Sequence, residues 1–350
     1  MTITVLIMSA RLGVLIATYL EPDLVQRIAD VDPRIDVSYE PEIVPVPRYV
    51  CDHVGTPRQL TSAQQDRWER ALAGADVSFD FDWQAPADLA TRAPGLRWVQ
   101  ATSAGIGGFV QRTGLDRTGL TFTTAAGIHA VPLAEFAVLG ALHFVKGVPH
   151  LRAQQAAHHW QRYTTSRLAG RTVTVVGLGG IGRQVVASFA ALGTRVLAVG
   201  RPGRDYEVDA AAGVHTTDEL DDLLRWTDVL VLCTPLTAQT DGLLSAERIA
   251  KLKPGAIVVN IGRGQLVDET ALVKALRGGA LAGAALDVFG TEPLPAESPL
   301  WDLDNVLVSP HSASTVDTEN AAITDLFCDN LRRYLDGREL RNVYQRELGY

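Results

Sequence analysis

Residues 173–182, Val-Thr-Val-Val-Gly-Leu-Gly-Gly-Ile-Gly, constrain the fold of this chain more than any other stretch. Four β-prone residues run into Gly177-x-Gly179-x-x-Gly182, and a helical pattern follows from Arg183 to Leu192. The order strand, glycine turn, helix is what a dinucleotide site needs. Gly177 permits the tight turn, Gly179 lets the backbone approach a pyrophosphate, and Gly182 lets the helix pack close to the strand. The helix start, with Gly180 and Ile181, offers free N–H groups and the positive end of the helix dipole to that anion. Glycines also mark ordinary turns; the strand before and the helix after give these ones their meaning.

The second strand, Thr194-Arg-Val-Leu-Ala-Val-Gly200-Arg201, bears on which dinucleotide binds. An NAD site usually ends this strand with Asp or Glu, which accepts hydrogen bonds from the adenosine ribose hydroxyls. Here that position is Gly200, followed by Arg201-Pro-Gly-Arg204. No carboxylate repels a 2′-phosphate, and two guanidinium groups can bind one through charge-assisted hydrogen bonds. The pattern favours NADP(H). NAD(H) is the alternative, with Arg201 stacked on the adenine or turned to solvent.

A chain of 350 residues suits two domains. Its 47% apolar content and mean hydropathy near zero fit a soluble protein with large cores. A net charge of −8 argues against a nucleic-acid or acidic-membrane partner, yet leaves room for a local basic pocket. Cys51, Cys233 and Cys328 lie far apart, with neither metal spacing nor a disulfide framework, which fits a reducing cytoplasm. The apolar run from Ile3 to Leu20 is broken by Arg11 and lacks the flanks of a signal peptide. It reads as two strands, Ile3–Met8 and Leu12–Ala17. No uninterrupted apolar stretch is long enough to span a bilayer.

From Leu12 to about Thr123, strand and helix patterns alternate, which predicts a parallel sheet covered on both faces. The helices are expected at Asp23–Ile28, at Ser62 to Ala73 with Ser62 as cap, and at Ala87–Thr91. The later strands are expected at Ile35–Tyr39, Val77–Phe81, Leu96–Gln100 and Leu120–Thr123. Pro41 to Pro57, with four prolines and with Tyr49, Cys51 and His53, cannot be regular throughout. It reads as a surface loop, or as a lid that brings Tyr49 or His53 to a substrate. Ala130 to His159 reads as a long, mostly helical arm, serving as hinge and as homodimer contact. His143, His150, His158 and His159 show no metal spacing with acids and read as surface or interface residues; His129 reads as a hinge or cleft-wall residue.

Leu168 to about Pro310 forms the second α/β unit, with later strands at Val229–Cys233, Ala256–Ile261, Gly283–Leu286 and Val306–Ser309. Thr216-x-x-Glu219 is a capping box opening the helix before Val229. Residues 315–335 are a helical return that carries the C-terminal tail back to the first domain. The expected division is 1–127 with 318–350 as a substrate domain, and 128–317 as the dinucleotide domain.

Three polar residues stand at the ends of these later strands: Arg263 after Asn260-Ile-Gly, Glu292 before Pro293, and His311 after Ser309-Pro310. Ligands of open α/β sheets bind outside the carboxyl ends of the strands. An Arg, a Glu and a His there suit carbonyl reduction beside a nicotinamide.

With these residues in place, the chain resembles the D-isomer-specific 2-hydroxyacid dehydrogenases from about Leu96 to Asn342. The matching segments are Gly177-Leu-Gly-Gly-Ile-Gly182, Thr234-Pro-Leu-Thr-Ala-Gln-Thr240, Lys253 to Gly264, Leu286-Asp-Val-Phe, Glu292-Pro-Leu-Pro and Ser309-Pro-His311. The resemblance implies a Rossmann dinucleotide-binding domain and a flavodoxin-like substrate domain. It implies Arg263 as substrate binder, Glu292 as partner of the catalytic histidine, and His311 as general acid/base. It further implies cofactor contacts from Asp287, Ile261 and the Thr234-Pro235 turn, and a carboxylate-binding backbone at Ser103-Ala104-Gly105. The cofactor strand end is similar to that of the NADPH-linked glyoxylate/hydroxypyruvate reductases.

The chain departs from the family at several places. Gly107 and Gly108 stand where many members have polar residues, Gly180 where many have Arg, and residues 1–60 match only loosely. The implied chemistry is hydride transfer to a 2-oxo acid held by Arg263, with His311 delivering the proton and Glu292 orienting it. Formate dehydrogenases pair their histidine with Gln, which Glu292 argues against. A nucleotide-sensing scaffold resembling the C-terminal-binding corepressors shares these residues and is the non-enzyme alternative.

Overall fold

The computed structural model describes residues 11–347; the strand expected at Ile3–Met8 lies outside them. Two compact units emerge, one made of the chain up to Ile128 and from Val316 onward, the other of His129–Thr315.

The first unit runs through β1 (Leu12–Ile16), α1 (Pro22–Ala29), β2 (Ile35–Tyr39), α2 (Ser62–Ala73), β3 (Val77–Phe79), α3 (Leu89–Arg92), β4 (Trp98–Gln100), α4 (Gly107–Arg112) and β5 (Thr121–Thr123). Its five strands are all parallel, in the order β2-β1-β3-β4-β5. This is the flavodoxin-like winding. The strand period of two splits β1 between the two faces. Leu15 packs with Trp68, Leu72 and Leu89, while Val14 and Ile16 pack with Leu24, Ile28 and Phe327.

Two local expectations shift. Both Thr61-x-x-Gln64 and Ser62-x-x-Gln65 have capping-box spacing, and the cap is Thr61, not Ser62. Gln64 returns the bond to the Thr61 backbone, whereas Gln65 is held by Glu69 and Gln84. Strand β3 stops at Phe79 rather than Phe81, because Asp80 takes a left-handed backbone with φ 69°. Residues 41–57 contain no helix and no named strand, only an antiparallel bridge between Val46 and Thr56. They are packed all the same, with Ile43 and Val44 fully buried.

The second unit begins with α5 (Ala130–Val145) and α6 (Val148–Ala156), bent by 62° at the break between them. The single long arm expected to His159 is therefore two helices, interrupted where Gly147 adopts φ 67°. Then come β6 (Thr172–Val176), α7 (Gly180–Ala191), β7 (Arg195–Gly200), β8 (Gly213–Thr216), α8 (Leu220–Leu224), β9 (Val229–Leu232), α9 (Ala246–Lys251), β10 (Ala256–Asn260), α10 (Glu269–Arg277), β11 (Leu281–Leu286) and β12 (Val306–Val308). All seven strands are parallel, in the order β12-β11-β10-β9-β6-β7-β8.

In β9, Val229 and Val231 face α5 and α7, while Leu230 and Leu232 face α8, α9 and α10. Both faces are buried, which is why these strands read as unbroken apolar runs. Strand order reverses between β6 and β9, so the crevice at their carboxyl ends is the switch point where such sheets bind ligands.

Helix α11 (Glu319–Leu335) returns the chain to the first unit. The tail then runs beside β5, with Thr124 N–H donating to Asn342 O at 3.0 Å and Tyr344 N–H to Phe122 O at 2.8 Å. Among the described residues no single helix is long and apolar enough to cross a membrane.

Candidate active site

The turn from β6 into α7 is shaped by contacts that only glycine tolerates. Gly177 sits at φ 110°, and a Cβ there would lie 2.8 Å from Cys233 O. A Cβ on Gly182 would lie 1.7 Å from Gly177 O, so the helix can start against the turn only without a side chain. A Cβ on Gly179 would meet nothing within 4 Å, so that position opens outward. Helix α7 begins at Gly180 with no side-chain cap, leaving the N–H groups of its first turn to an external acceptor. Beside it, the buried Thr234 Oγ1 has no hydrogen-bond partner among the described residues. An open glycine, an uncapped helix start and an orphaned hydroxyl fit a dinucleotide phosphate and ribose. Ile261 is buried at the end of β10, and Pro235 is exposed beside Thr234.

Gly200 closes β7, and Arg201 and Arg204 follow it, both exposed. The structure adds a residue that the sequence reading passed over. The Tyr206 ring lies against Gly200, and its hydroxyl accepts the Arg201 backbone N–H at 3.2 Å.

Arg263, Glu292 and His311 all belong to the second unit. Arg263 follows β10 in a loop fixed by buried Asn260, whose Nδ2 donates to Arg263 O at 2.9 Å and whose Oδ1 accepts Gly262 N–H at 3.1 Å. Burial pushes the Arg263 pKa down and the Glu292 carboxylate pulls it back up. Glu292 is held at both oxygens. Oε1 accepts Phe289 N–H at 3.0 Å, and Oε2 lies 2.8 Å from His311 Nδ1. His311 occupies left-handed backbone space at φ 52°, uncommon for a non-glycine residue.

Asp287 compensates for that strain. Its Oδ1 accepts Ser309 Oγ–H at 2.6 Å and the N–H groups of Ser312 and Ala313 at 2.8 and 2.9 Å. The carboxylate thus clamps the loop on both sides of the histidine. With Nδ1 on Glu292, the ring presents Nε2 away from that carboxylate.

Ser103, Ala104 and Gly105 lie in the first unit, after β4. Ser103 O accepts Ala125 N–H at 3.1 Å, and Thr102 Oγ1 donates to Asp80 Oδ2 at 3.0 Å. The residues that follow, Gly107 and Gly108, open α4. Desolvation pushes the Asp80 carboxyl above the usual carboxylate range, and the nearby His53 counters it in part. His53, from the proline-rich segment, has Nε2 2.8 Å from Asn320 Oδ1, and Asn320 Nδ2 donates to Glu21. Tyr49 points outward, 53% exposed. This Asp80–His53–Asn320 group was not legible beforehand, because its members are separated by up to 267 residues.

A family model, D-isomer specific 2-hydroxyacid dehydrogenase, NAD binding domain, matches residues 138–313. The glyoxylate reductase of Aeropyrum pernix is 34% identical over 271 residues, covering 75% of this chain and 80% of that protein. The D-3-phosphoglycerate dehydrogenase of Mycobacterium leprae is 38% identical over 72% of this chain, but the chain spans only 47% of that longer protein. The solved NADPH-dependent glyoxylate/hydroxypyruvate reductase of Sinorhizobium meliloti, in complex with NADP and sulfate, superposes with a TM-score of 0.77. It is 27% identical, with 97% of this chain and 100% of that one covered.

Proposed function

The chain belongs to the D-isomer-specific 2-hydroxyacid dehydrogenase family as an NAD(P)-dependent enzyme, and we propose that it interconverts a small 2-oxo acid and its D-2-hydroxy acid with NADPH as preferred cofactor. The observation that carries the reading is the His311–Glu292 pair, 2.8 Å apart on Nδ1, with Arg263 close enough to sense the same carboxylate.

A bound nicotinamide supplies or takes the hydride at the C2 carbon. The protein's part is to bind the acid and to move one proton. The Arg263 fork binds the substrate carboxylate and polarises the keto oxygen. The backbone N–H groups of Ser103, Ala104 and Gly105 are assigned to the substrate carboxylate as well. Protonated His311 gives its Nε2 proton to the keto oxygen as charge builds there, and recovers it in the reverse direction. Glu292 holds the ring in one orientation, and Asp287 holds the backbone that carries it. The turn Gly177–Gly182, with Thr234, Pro235, Ile261 and Asp287, is assigned to the dinucleotide.

Glyoxylate and hydroxypyruvate are the proposed substrates, on the strength of the relatives named for them and the Gly200-Arg201 strand end. A homodimer is proposed through α5. Its Val131 and Leu139 are half-exposed, and an apolar groove of about 450 Å³ runs between α5 and α7, lined by Val138, Leu142 and Leu192. Three free thiols, two of them buried, suit the cytoplasm.

The test is initial-rate oxidation of NADPH and NADH with glyoxylate, hydroxypyruvate, pyruvate, 2-oxobutyrate and phenylpyruvate. Turnover of a small acid, faster with NADPH, is the expected result. Tight cofactor binding with no turnover of any acid would overturn it.

A further inference from the structure

Gly200 has no backbone need for glycine, since its φ lies outside the left-handed region. Its constraint comes from Tyr206. A Cβ at position 200 would lie 2.3 Å from Cε2, 2.7 Å from Cδ2 and 2.9 Å from Cζ of that ring. Arg201-Pro-Gly-Arg-Asp therefore folds back so that an aromatic ring fills the space beside the strand end. In an NAD site that space belongs to the acid that reads the ribose. The ring is fixed from two sides. Its hydroxyl accepts the Arg201 N–H at 3.2 Å, and the Arg204 guanidinium lies 5.3 Å from its centroid. A phenol that accepts one hydrogen bond still has its own proton to donate. Burial alone would raise the phenol's pKa; the Arg201 hydrogen bond and the two guanidinium charges outweigh it and lower it.

We propose that Tyr206 sets cofactor preference: its ring occupies the place of the ribose-reading acid, and its hydroxyl joins Arg201 and Arg204 in binding the adenosine 2′-phosphate. The inference rests on the NADPH reading above. It adds exclusion to attraction, because a carboxylate at 200 would collide with the ring and face two arginines. Tyr206 supports Arg204 from beneath, so it positions one phosphate ligand while being another.

The test separates this inference from the NADPH reading. Adenosine 2′,5′-bisphosphate and adenosine 5′-monophosphate are titrated calorimetrically into the full chain, with no turnover involved. The wild type is expected to prefer the bisphosphate by at least about tenfold, the scale of one hydrogen bond to a charged group. Tyr206→Phe keeps the ring and loses the hydroxyl, and should cut that preference by about five- to tenfold. Tyr206→Ala should cut it further.

Gly200→Asp alone should lower Tm and leave NADH poorly used, whereas Gly200→Asp combined with Tyr206→Ala should accept the acid and favour NADH. If the wild type prefers the bisphosphate and both Tyr206 variants keep the full preference, the role of Tyr206 is wrong and the NADPH reading stands. If Gly200→Asp alone keeps its Tm and favours NADH, the ring does not hold the acid's place. If the wild type shows no preference, the NADPH reading falls and takes this inference with it.

Discussion

At the carboxyl end of the second unit's sheet, the groups assigned to chemistry lie within a few residues of a strand end. Gly177 follows β6, Gly200 closes β7, Thr234 follows β9, Arg263 follows β10, Asp287 follows β11 and His311 follows β12. At the carboxyl end of the first unit's sheet, loops are tied by side chains distant in sequence. Thr102 reaches Asp80 across 22 residues, Thr18 reaches the His53 carbonyl across 35, and His53 reaches Asn320 across 267. The second unit puts its groups on strand-end turns that demand particular residue types, and its own long ties, such as Asp287 to Ala313 across 26 residues, join those turns to one another. The first builds with long-range polar ties that leave no local spacing.

The largest expected effect tests the second unit's design at its chemical end. His311→Ala should lower kcat by about 10³-fold, within the range for a positioned general acid, with cofactor affinity nearly kept. Glu292→Gln should cost less, about 10²-fold, because the ring stays tethered but its charged partner is gone. Steady-state kinetics with a parallel NADPH fluorescence titration reads both. A wild-type rate in His311→Ala would remove the histidine from the mechanism.

Gly182→Ala tests the backbone half of the same design. Its Cβ would fall 1.7 Å from Gly177 O, so the turn must open to admit it. NADPH affinity should drop by about 10²-fold or more, with a lower Tm. Unchanged affinity would mean that the turn is not the dinucleotide cradle.

The same contrast explains what could be read from the chain alone. Parallel sheets buried on both faces leave apolar runs, so most strands of both units were legible, and the winding followed from their alternation with helices. The edge strand β8, Gly213–Thr216, was not, because its partly exposed residues carry no apolar run. The pairing of Glu292 with His311 came from the family resemblance, carried in part by the motifs Glu292-Pro-Leu-Pro and Ser309-Pro-His311. Tyr206 was not, since nothing at 206 announces that its ring will fold back over Gly200; the hint lay in the glycine itself. The break at Gly147 was hidden inside a helical pattern that continues on both sides. In the first unit's loops His53 stood out as a lid candidate, but its partner Asn320, like Asp80 and the Arg48–Asp52 pair, was visible only as composition.

Thr102→Val probes a long-range tie directly. It removes the hydroxyl that meets Asp80 and so loosens the backbone leading into Ser103–Gly105. If those N–H groups bind the substrate carboxylate, KM for the oxo acid should rise by about five- to tenfold, the scale of one ordinary hydrogen bond, with a smaller change in kcat. An equal fall in kcat at constant KM would place the tie in folding rather than in binding.

The smallest effect concerns the proline-rich segment, whose order rests on one buried carboxylate. Asp52 accepts the Arg48 Nε–H at 2.6 Å, the Arg48 Nη2–H and backbone N–H at 3.0 Å each, and the Gly55 N–H at 3.0 Å. These bonds close residues 48–55 into a loop and hold the Asp52 carboxyl well below the usual carboxylate range, the Arg48 side chain contributing most. Its folded pKa is depressed, so the ionised form stabilises the fold fully above the unfolded value of about 3.9. That contribution fades as pH falls from there toward the folded value.

Asp52→Asn keeps the shape and removes the charge. Because Arg48 is half in solvent, the cost at pH 7 should be modest, a Tm lower by about 2–4 °C. The gap between wild type and variant should narrow below about pH 4, where the wild-type carboxyl begins to lose its advantage. Calorimetry at pH 7 and pH 3 checks it. A gap of the same size at both pH values would mean that the carboxylate's charge is not what holds the loop, whereas no gap at either would mean that packing of Ile43 and Val44 holds it, and the first unit's carboxyl end would then depend less on its polar ties than on its core.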